Sequence, residues 1–76
     1  MQKDNQLRFL SREMGLTLGD VGFMFFMNET KEIQQAATRI LNEEREFEKT
    51  NDSRFNPARR DMAEKILADI LSSLGL

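Results

Sequence analysis

Apolar residues recur at spacings of three and four along most of the chain, the period of helices with one buried face. From this pattern and from residues that are typical of helix ends, we predict four helices. A linker over 50–56 connects the third helix to the fourth. The one aromatic-rich segment has no second β-rich run to pair with, which favours helix over strand. We therefore predict an all-α fold, a small bundle of about four helices in a single domain over 1–76, completed by homodimerisation. The predicted helices cover about 4–14, 18–27, 30–49 and 57–74.

Several residues mark helix ends. Gly15 follows the first apolar stripe, where a left-handed C-terminal cap is usual. Thr17 stands three residues before Asp20, an approximate capping box. Asn56 is a good N-cap, and Pro57 suits a first helical position. Further predicted signals are Asn28 or Thr30 before the third helix, and Gly75 after the fourth, with Leu76 folding back on Leu71.

The second predicted helix carries five consecutive apolar residues, Phe23 to Met27, within "DVGFMFFMNE". On a helical projection the apolar side chains nearly encircle this helix, which predicts burial on all sides. A domain of this size offers thin cover for such a helix. Either all five residues are core of a monomer or, as we expect, another protein, first a second copy, supplies part of the cover. The predicted interface residues are Phe23, Phe25, Phe26 and Met27, with Arg59 and Arg60 at the rim.

The third predicted helix has an apolar stripe that Glu44 interrupts, and its distal part, "NEEREFEK", is predicted to be a solvated extension. Near the start of the fourth helix, Arg59 and Arg60 oppose the helix dipole. This placement has two interpretations. The arginines bind an acidic partner or a phosphate, or Arg60 pairs with Glu64 and Arg59 is simply exposed.

Composition excludes several activities. The 76 residues include no cysteine and no histidine, which removes disulfides, thiolate or imidazole metal sites and histidine general bases. We expect no enzyme activity, no cofactor and no bound metal. The longest apolar run is far below the roughly 18 residues of a membrane span, so no membrane association is expected. The N-terminal stretch "MQKDNQLRFL" lacks the apolar core of a signal peptide, which favours the cytoplasm.

A DNA-binding alternative comes from the stretch "TLGDVGFMFFMNETKEIQQA". Its Thr-Leu-x-Asp-Val opening resembles the start of the helix-turn-helix in repressors of the lactose-repressor type, and "GLTLGDV" resembles part of the regulators of the mercury-resistance type. The resemblance implies a dimeric transcriptional regulator whose reading helix presents side chains to phosphates and base edges. Net charge is −2, so binding would depend on a local patch. The residues concerned are Lys31, Gln34, Gln35, Thr38 and Arg39.

The preferred hypothesis is a non-enzymatic protein-interaction module. It would act as a small regulator, inhibitor or adaptor, of the kind that bacteria and phages encode, by docking an apolar helical surface onto another protein. The analogy to such proteins comes from size and composition.

Overall fold

The computed structural model describes residues 2–27 and 29–73. Over these residues the chain is helical with turns and contains no strand, which confirms the all-α prediction. The predicted ranges agree with the observed helices to within two residues at each end. The helices are α1 (Gln2–Met14), α2 (Leu18–Phe26), α3 (Thr30–Lys49) and α4 (Pro57–Ser73).

The junction between α1 and α2 follows the predicted signals. Gly15 has a positive φ of 69°, and the N–H of Leu16 donates to the carbonyl of Ser11 at 3.0 Å, the wide hydrogen bond of a Schellman ending. Two residues later, Thr17 caps α2, because its hydroxyl accepts the N–H of Asp20 at 3.1 Å. The chain therefore reverses within a few residues and begins a new helix.

A second Schellman ending closes α3, without a glycine. Asn51 takes the left-handed conformation at φ 55°. Its N–H donates to the carbonyl of Glu48 at 3.2 Å, and the N–H of Asp52 donates to the carbonyl of Phe47 at 2.8 Å. Asparagine tolerates this conformation better than most residues with a side chain, which is why α3 stops here.

The start of α4 is capped as predicted. The side-chain oxygen of Asn56 accepts the N–H groups of Ala58 and Arg59 at 3.0 and 3.3 Å. Pro57 occupies the first helical position, where its missing N–H costs no hydrogen bond. Two N–H groups that the helix itself leaves unpaired are thus satisfied.

The chain forms two compact units, and the boundary between them falls within α3. The N-terminal unit is Met1–Ala36, and the C-terminal unit is Ala37–Leu76. In the N-terminal unit, α1 packs against α2. The single-domain organisation and homodimerisation remain predictions. The buried apolar residues are Leu10, Val21, Ile33 and Ala36 in the first unit, and Ala37, Ile40, Leu41, Ala63, Ile66 and Ile70 in the second.

Four predicted features fall outside the described residues: the cap at Asn28, the last helical residue Leu74, the stop at Gly75 and the return of Leu76. Within the described part of the chain, no helix has both the length and the apolar character needed to cross a bilayer.

Candidate functional site

α2 and Met27, which follows its last residue, expose four large apolar side chains. We call this set the α2 apolar face, and it consists of Leu18, Phe23, Phe26 and Met27. Their exposure ranges from 49% at Leu18 to 81% at Phe26. Within the single chain, Val21 is the buried residue of this helix, so its burial on all sides depends on a partner and remains a prediction. An all-round apolar pattern does not tell which arc of a helix the fold covers.

The geometry of α2 separates an inner from an outer side. Val21 is fully buried, and Met24 and Phe25 beside it are half-buried. At about 100° of rotation per residue, Phe23 and Phe26 lie on the side opposite Val21. Three of the four predicted apolar contact residues are thus on the exposed side, and Phe25 is turned toward the covered one.

Two glycines lie on α2 without a conformational reason to be glycine. Both are helical, and each costs up to about 1 kcal/mol of helix stability relative to alanine. A methyl group at Gly22 would meet no atom within 4 Å, and one at Gly19 would meet only the Thr17 hydroxyl at 3.8 Å. The described chain therefore leaves open space above Gly22 and only the Thr17 hydroxyl beside Gly19.

A second feature, in the C-terminal unit, is a buried polar network that we call the Glu44 network. Glu44 is only 1% exposed on α3. One of its carboxylate oxygens accepts the N–H of Asn56 at 2.9 Å, and the other pairs with the Arg59 guanidinium at 2.9 Å. The prediction of a fully solvated distal α3 is wrong at this residue. Glu44 instead joins α3 to the first turn of α4.

Arg59 bridges two carboxylates of α3. Its second guanidinium nitrogen pairs with Glu43 at 3.0 Å, and Glu43 also accepts from Arg39 at 3.1 Å. The hydrogen bond from Arg59 is the main cause that holds the pKa of Glu43 below its ordinary value. The interpretation of Arg59 as simply exposed is wrong, because its side chain is 20% exposed and engaged with both carboxylates. Arg39 and Glu43 are four residues apart on α3, the usual spacing of a helical ion pair.

The turn between α3 and α4 carries further ion pairs. Asp52 accepts from the backbone and guanidinium of Arg54, which lowers its pKa from 3.8 to about 2, mainly through the side-chain hydrogen bond. Arg54 also lies over the ring of Phe47, 4.6 Å from its centre.

Arg60, the other predicted rim residue, has two carboxylate partners: Glu48 at 2.6 Å and Asp61 at 3.4 Å. Neither is the Glu64 that helical spacing predicts. Its guanidinium also lies over the half-buried ring of Phe55, at 5.3 Å. The charges of Arg59 and Arg60 are therefore engaged by carboxylates of this chain, which weakens the case for both as rim contacts to an acidic partner.

An open depression of about 360 Å³ lies beside these pairs. All five side chains around it are charged, and carboxylates stand among the cations. Ligand pockets are mostly apolar with a few polar groups, so this depression lacks their character. Its lining residues are Arg45, Glu48, Lys49, Arg60 and Glu64.

The residues of the DNA-binding alternative all lie exposed on α3. Glu29 and Glu32 near the start of the helix are exposed as well, and Arg39 is paired with Glu43. Carboxylates close to a phosphate backbone oppose binding. The exposed residues are Lys31, Gln34, Gln35, Thr38 and Arg39.

Sequence reasoning missed two participants. Leu18 belongs to the exposed face, but its place in the first turn of α2 gave no signal beyond its apolar character. The sequence had two unusual features that bear on the contact between Glu44 and Arg59. One is an acidic residue on an apolar stripe, and the other is a basic residue near the positive end of a helix dipole. Together they indicate a pair.

No protein-family model, no curated protein and no solved structure shows a significant match to this chain.

Proposed function

We propose that this protein is an interaction module that binds through the α2 apolar face, with a second copy of itself as the first partner. It acts as a small regulator, inhibitor or adaptor, by association and not by catalysis. The observation that carries the proposal is the exposure of Phe26, 81%, close to the exposed Phe23 in α2 and to the exposed Met27 that follows α2.

The size of the face supports binding. At about 200 Å² for a fully exposed large side chain, its four members present on the order of 450 Å² of surface. A patch of this size is comparable to the largest apolar patch of a typical monomer, which is often functional. Phenylalanine and methionine are also enriched at protein interfaces. Covering the face removes apolar surface from water, which favours association.

The charge pattern supports a second copy as the occupant. Asp20 is the one charged residue in the α2 sequence, so two such faces can meet without like charges at the centre. Two copies of the face would together bury on the order of 900 Å², below the range of stable complexes. We therefore expect a weak dimer with a dissociation constant on the order of 100 µM.

The test is sedimentation equilibrium or light scattering of the wild type and Phe26→Asp over a range of concentrations. The wild type should approach the dimer mass at about 1 mM, roughly ten times the expected constant, and Phe26→Asp should stay monomeric. The matched control is Leu71→Asp, which charges an exposed leucine on α4, outside the face, and should dimerise like the wild type. A wild type that is monomeric throughout contradicts self-association.

A dimeric helix-turn-helix DNA binder is the second candidate, because Lys31, Gln34 and Gln35 lie exposed on α3. Fluorescence polarisation with mixed-sequence duplex DNA at low salt tests it. A DNA-binding protein should give salt-sensitive binding that Lys31→Glu weakens. Absence of binding at low salt removes this candidate.

A further inference from the structure

We propose that the second copy docks in an antiparallel orientation, with Phe26 of each copy packing over Gly19 of the other, where no side chain stands in its way. Phe23 of one copy then contacts Phe23 of the other at the two-fold axis. This inference rests on the proposed function and adds the register and the residues of the interface.

The first step is the position of Gly19 on the helix. Gly19, Phe23 and Phe26 follow each other at spacings of four and three residues, so they lie on one stripe within about 60° of each other. Phe23 and Phe26 are exposed members of the α2 apolar face, and Gly19 is exposed too. The stripe therefore begins at Gly19, which has no side chain, and ends at the large aromatic side chain of Phe26.

The second step is that the described chain gives these glycines no other role. Neither has a positive φ; Gly22 has open space above it, and a Cβ at Gly19 would meet only the Thr17 hydroxyl, at 3.8 Å. Glycine at such a helical position weakens the helix and brings no packing in return within the chain. A partner that approaches closely gives a reason for the missing side chains.

The third step is self-complementarity. A two-fold axis that relates antiparallel helices and passes near Gly22 and Phe23 brings residue 19 of each copy opposite residue 26 of the other. The bulky Phe26 then faces a hole on both sides of the axis, as an isologous interface requires. At the axis, Phe23 pairs with its copy as an aromatic contact, and Gly22 lets the helices approach.

A parallel pair fits less well. It would bring Phe26 against Phe26 and leave the two Gly19 positions facing each other across an unfilled gap. It would also align the two helix dipoles, whereas the antiparallel pair opposes them. In the antiparallel pair the two Asp20 residues lie on different sides of the axis, which separates the like charges.

The chain contains no cysteine, so no native residue has to be replaced before disulfide mapping. Gly19→Cys and Phe26→Cys are oxidised with oxidised glutathione, separately and as an equal mixture. The antiparallel register predicts a disulfide-linked dimer chiefly in the mixture, because the two copies of residue 26 lie about 10 Å apart along the helix axis. Phe23→Cys should link to itself, and the exposed Gln34→Cys on α3 is the control that should not.

The alternatives give different results. Efficient self-linking of Phe26→Cys would overturn the antiparallel register while leaving the proposed function intact. The register would also be overturned if light scattering shows that the wild type dimerises but the mixture of Gly19→Cys and Phe26→Cys gives no more disulfide-linked dimer than either variant alone. A wild type that stays monomeric would overturn the proposed self-association itself.

Gly19→Ala gives an independent readout that does not rest on disulfides. The added methyl group should raise the melting temperature of the dilute monomer by up to about 4 to 8 °C, because alanine favours the helix. It should weaken dimerisation at least tenfold, because it blocks the space for Phe26. An equal or tighter dimer would overturn the proposal, and circular dichroism checks that the variant is folded.

Discussion

The N-terminal unit exposes large apolar side chains on α2, whereas the C-terminal unit buries a carboxylate between α3 and α4. Phe26 is 81% exposed, and Glu44 is 1% exposed. Each is the reverse of what its side chain favours in isolation. An exposed phenylalanine points to a surface that another protein covers, and a buried glutamate points to a fixed polar contact within the chain.

Because of this difference between the two units, we expect substitutions in them to have different effects, on folding stability in one case and on association in the other. Changes in the Glu44 network act on the free energy of unfolding, because its contacts form on folding. Changes in the α2 apolar face act on association, because its side chains contact little in the single chain.

The largest expected effect is that of Glu44→Ala. This substitution removes both carboxylate contacts and leaves the Arg59 guanidinium and the Asn56 N–H without this acceptor. Breaking a buried pair by removing one partner is strongly destabilising, so we expect a loss of about 3 kcal/mol in the free energy of unfolding. Urea denaturation followed by circular dichroism measures it.

Two variants sharpen that prediction. Glu46→Ala changes an exposed glutamate on the same helix and should alter the free energy of unfolding by less than about 0.5 kcal/mol. Glu44→Gln keeps an acceptor for Asn56 but loses the charge that pairs with Arg59, and it should fall between the two. Equal stabilities of Glu44→Ala and Glu46→Ala would show that the buried network contributes nothing.

The next effect compares two residues of α2. Val21→Ala should lower the free energy of unfolding by about 2 kcal/mol, because it removes two buried methyl groups and leaves a cavity. Phe26→Ala removes far more atoms, yet it should cost less than about 0.5 kcal/mol in the dilute monomer, since that ring is exposed. A larger loss for Phe26→Ala than for Val21→Ala would mean that this ring is part of the folded core.

The smallest effect is the dependence of stability on acid. The pKa of Asp52 is lowered from 3.8 to about 2, so between these values the unfolded chain binds more protons than the folded one. The contribution of Asp52 to stability is therefore full above pH 3.8 and is lost as pH falls toward 2. Glu43, whose pKa is also lowered, acts in the same direction.

The measurement is the urea midpoint of the wild type and Asp52→Asn at pH 6 and near pH 2. The wild type should be the more stable at pH 6, and the difference should shrink at the lower pH. Because Asp52 is exposed enough for solvent to screen its ion pair, added salt should also reduce the difference. A difference that grows in acid contradicts the assignment.

The helix ends could be predicted because their causes are local. The hydroxyl of Thr17, the amide of Asn56 and the free φ of Gly15 act within a few residues, so the sequence contains the whole interaction. The end of α3 at Lys49 was predicted, but the left-handed Asn51 that follows it was placed only in a polar linker, since asparagine adopts this conformation less regularly than glycine.

The outward direction of α2 could not be predicted, because it depends on where α1 packs and not on α2 alone. The burial of Glu44 depends likewise on residues 12 and 15 positions away. Periodicity describes one helix at a time and contains no information on what lies opposite. For the same reason, periodicity alone does not show that Leu71 of α4 is 45% exposed.

The short sequence separation within the Glu44 network has a consequence for the order of folding. Its contacts span only 12 to 16 residues. A loop of about 10 residues closes in roughly 10 to 100 ns, and little chain entropy is lost by closing it. We expect the contact between Glu44 and the first turn of α4 to form early and to be present in the folding transition state, so that Glu44→Gln slows refolding more than it speeds unfolding in stopped-flow experiments.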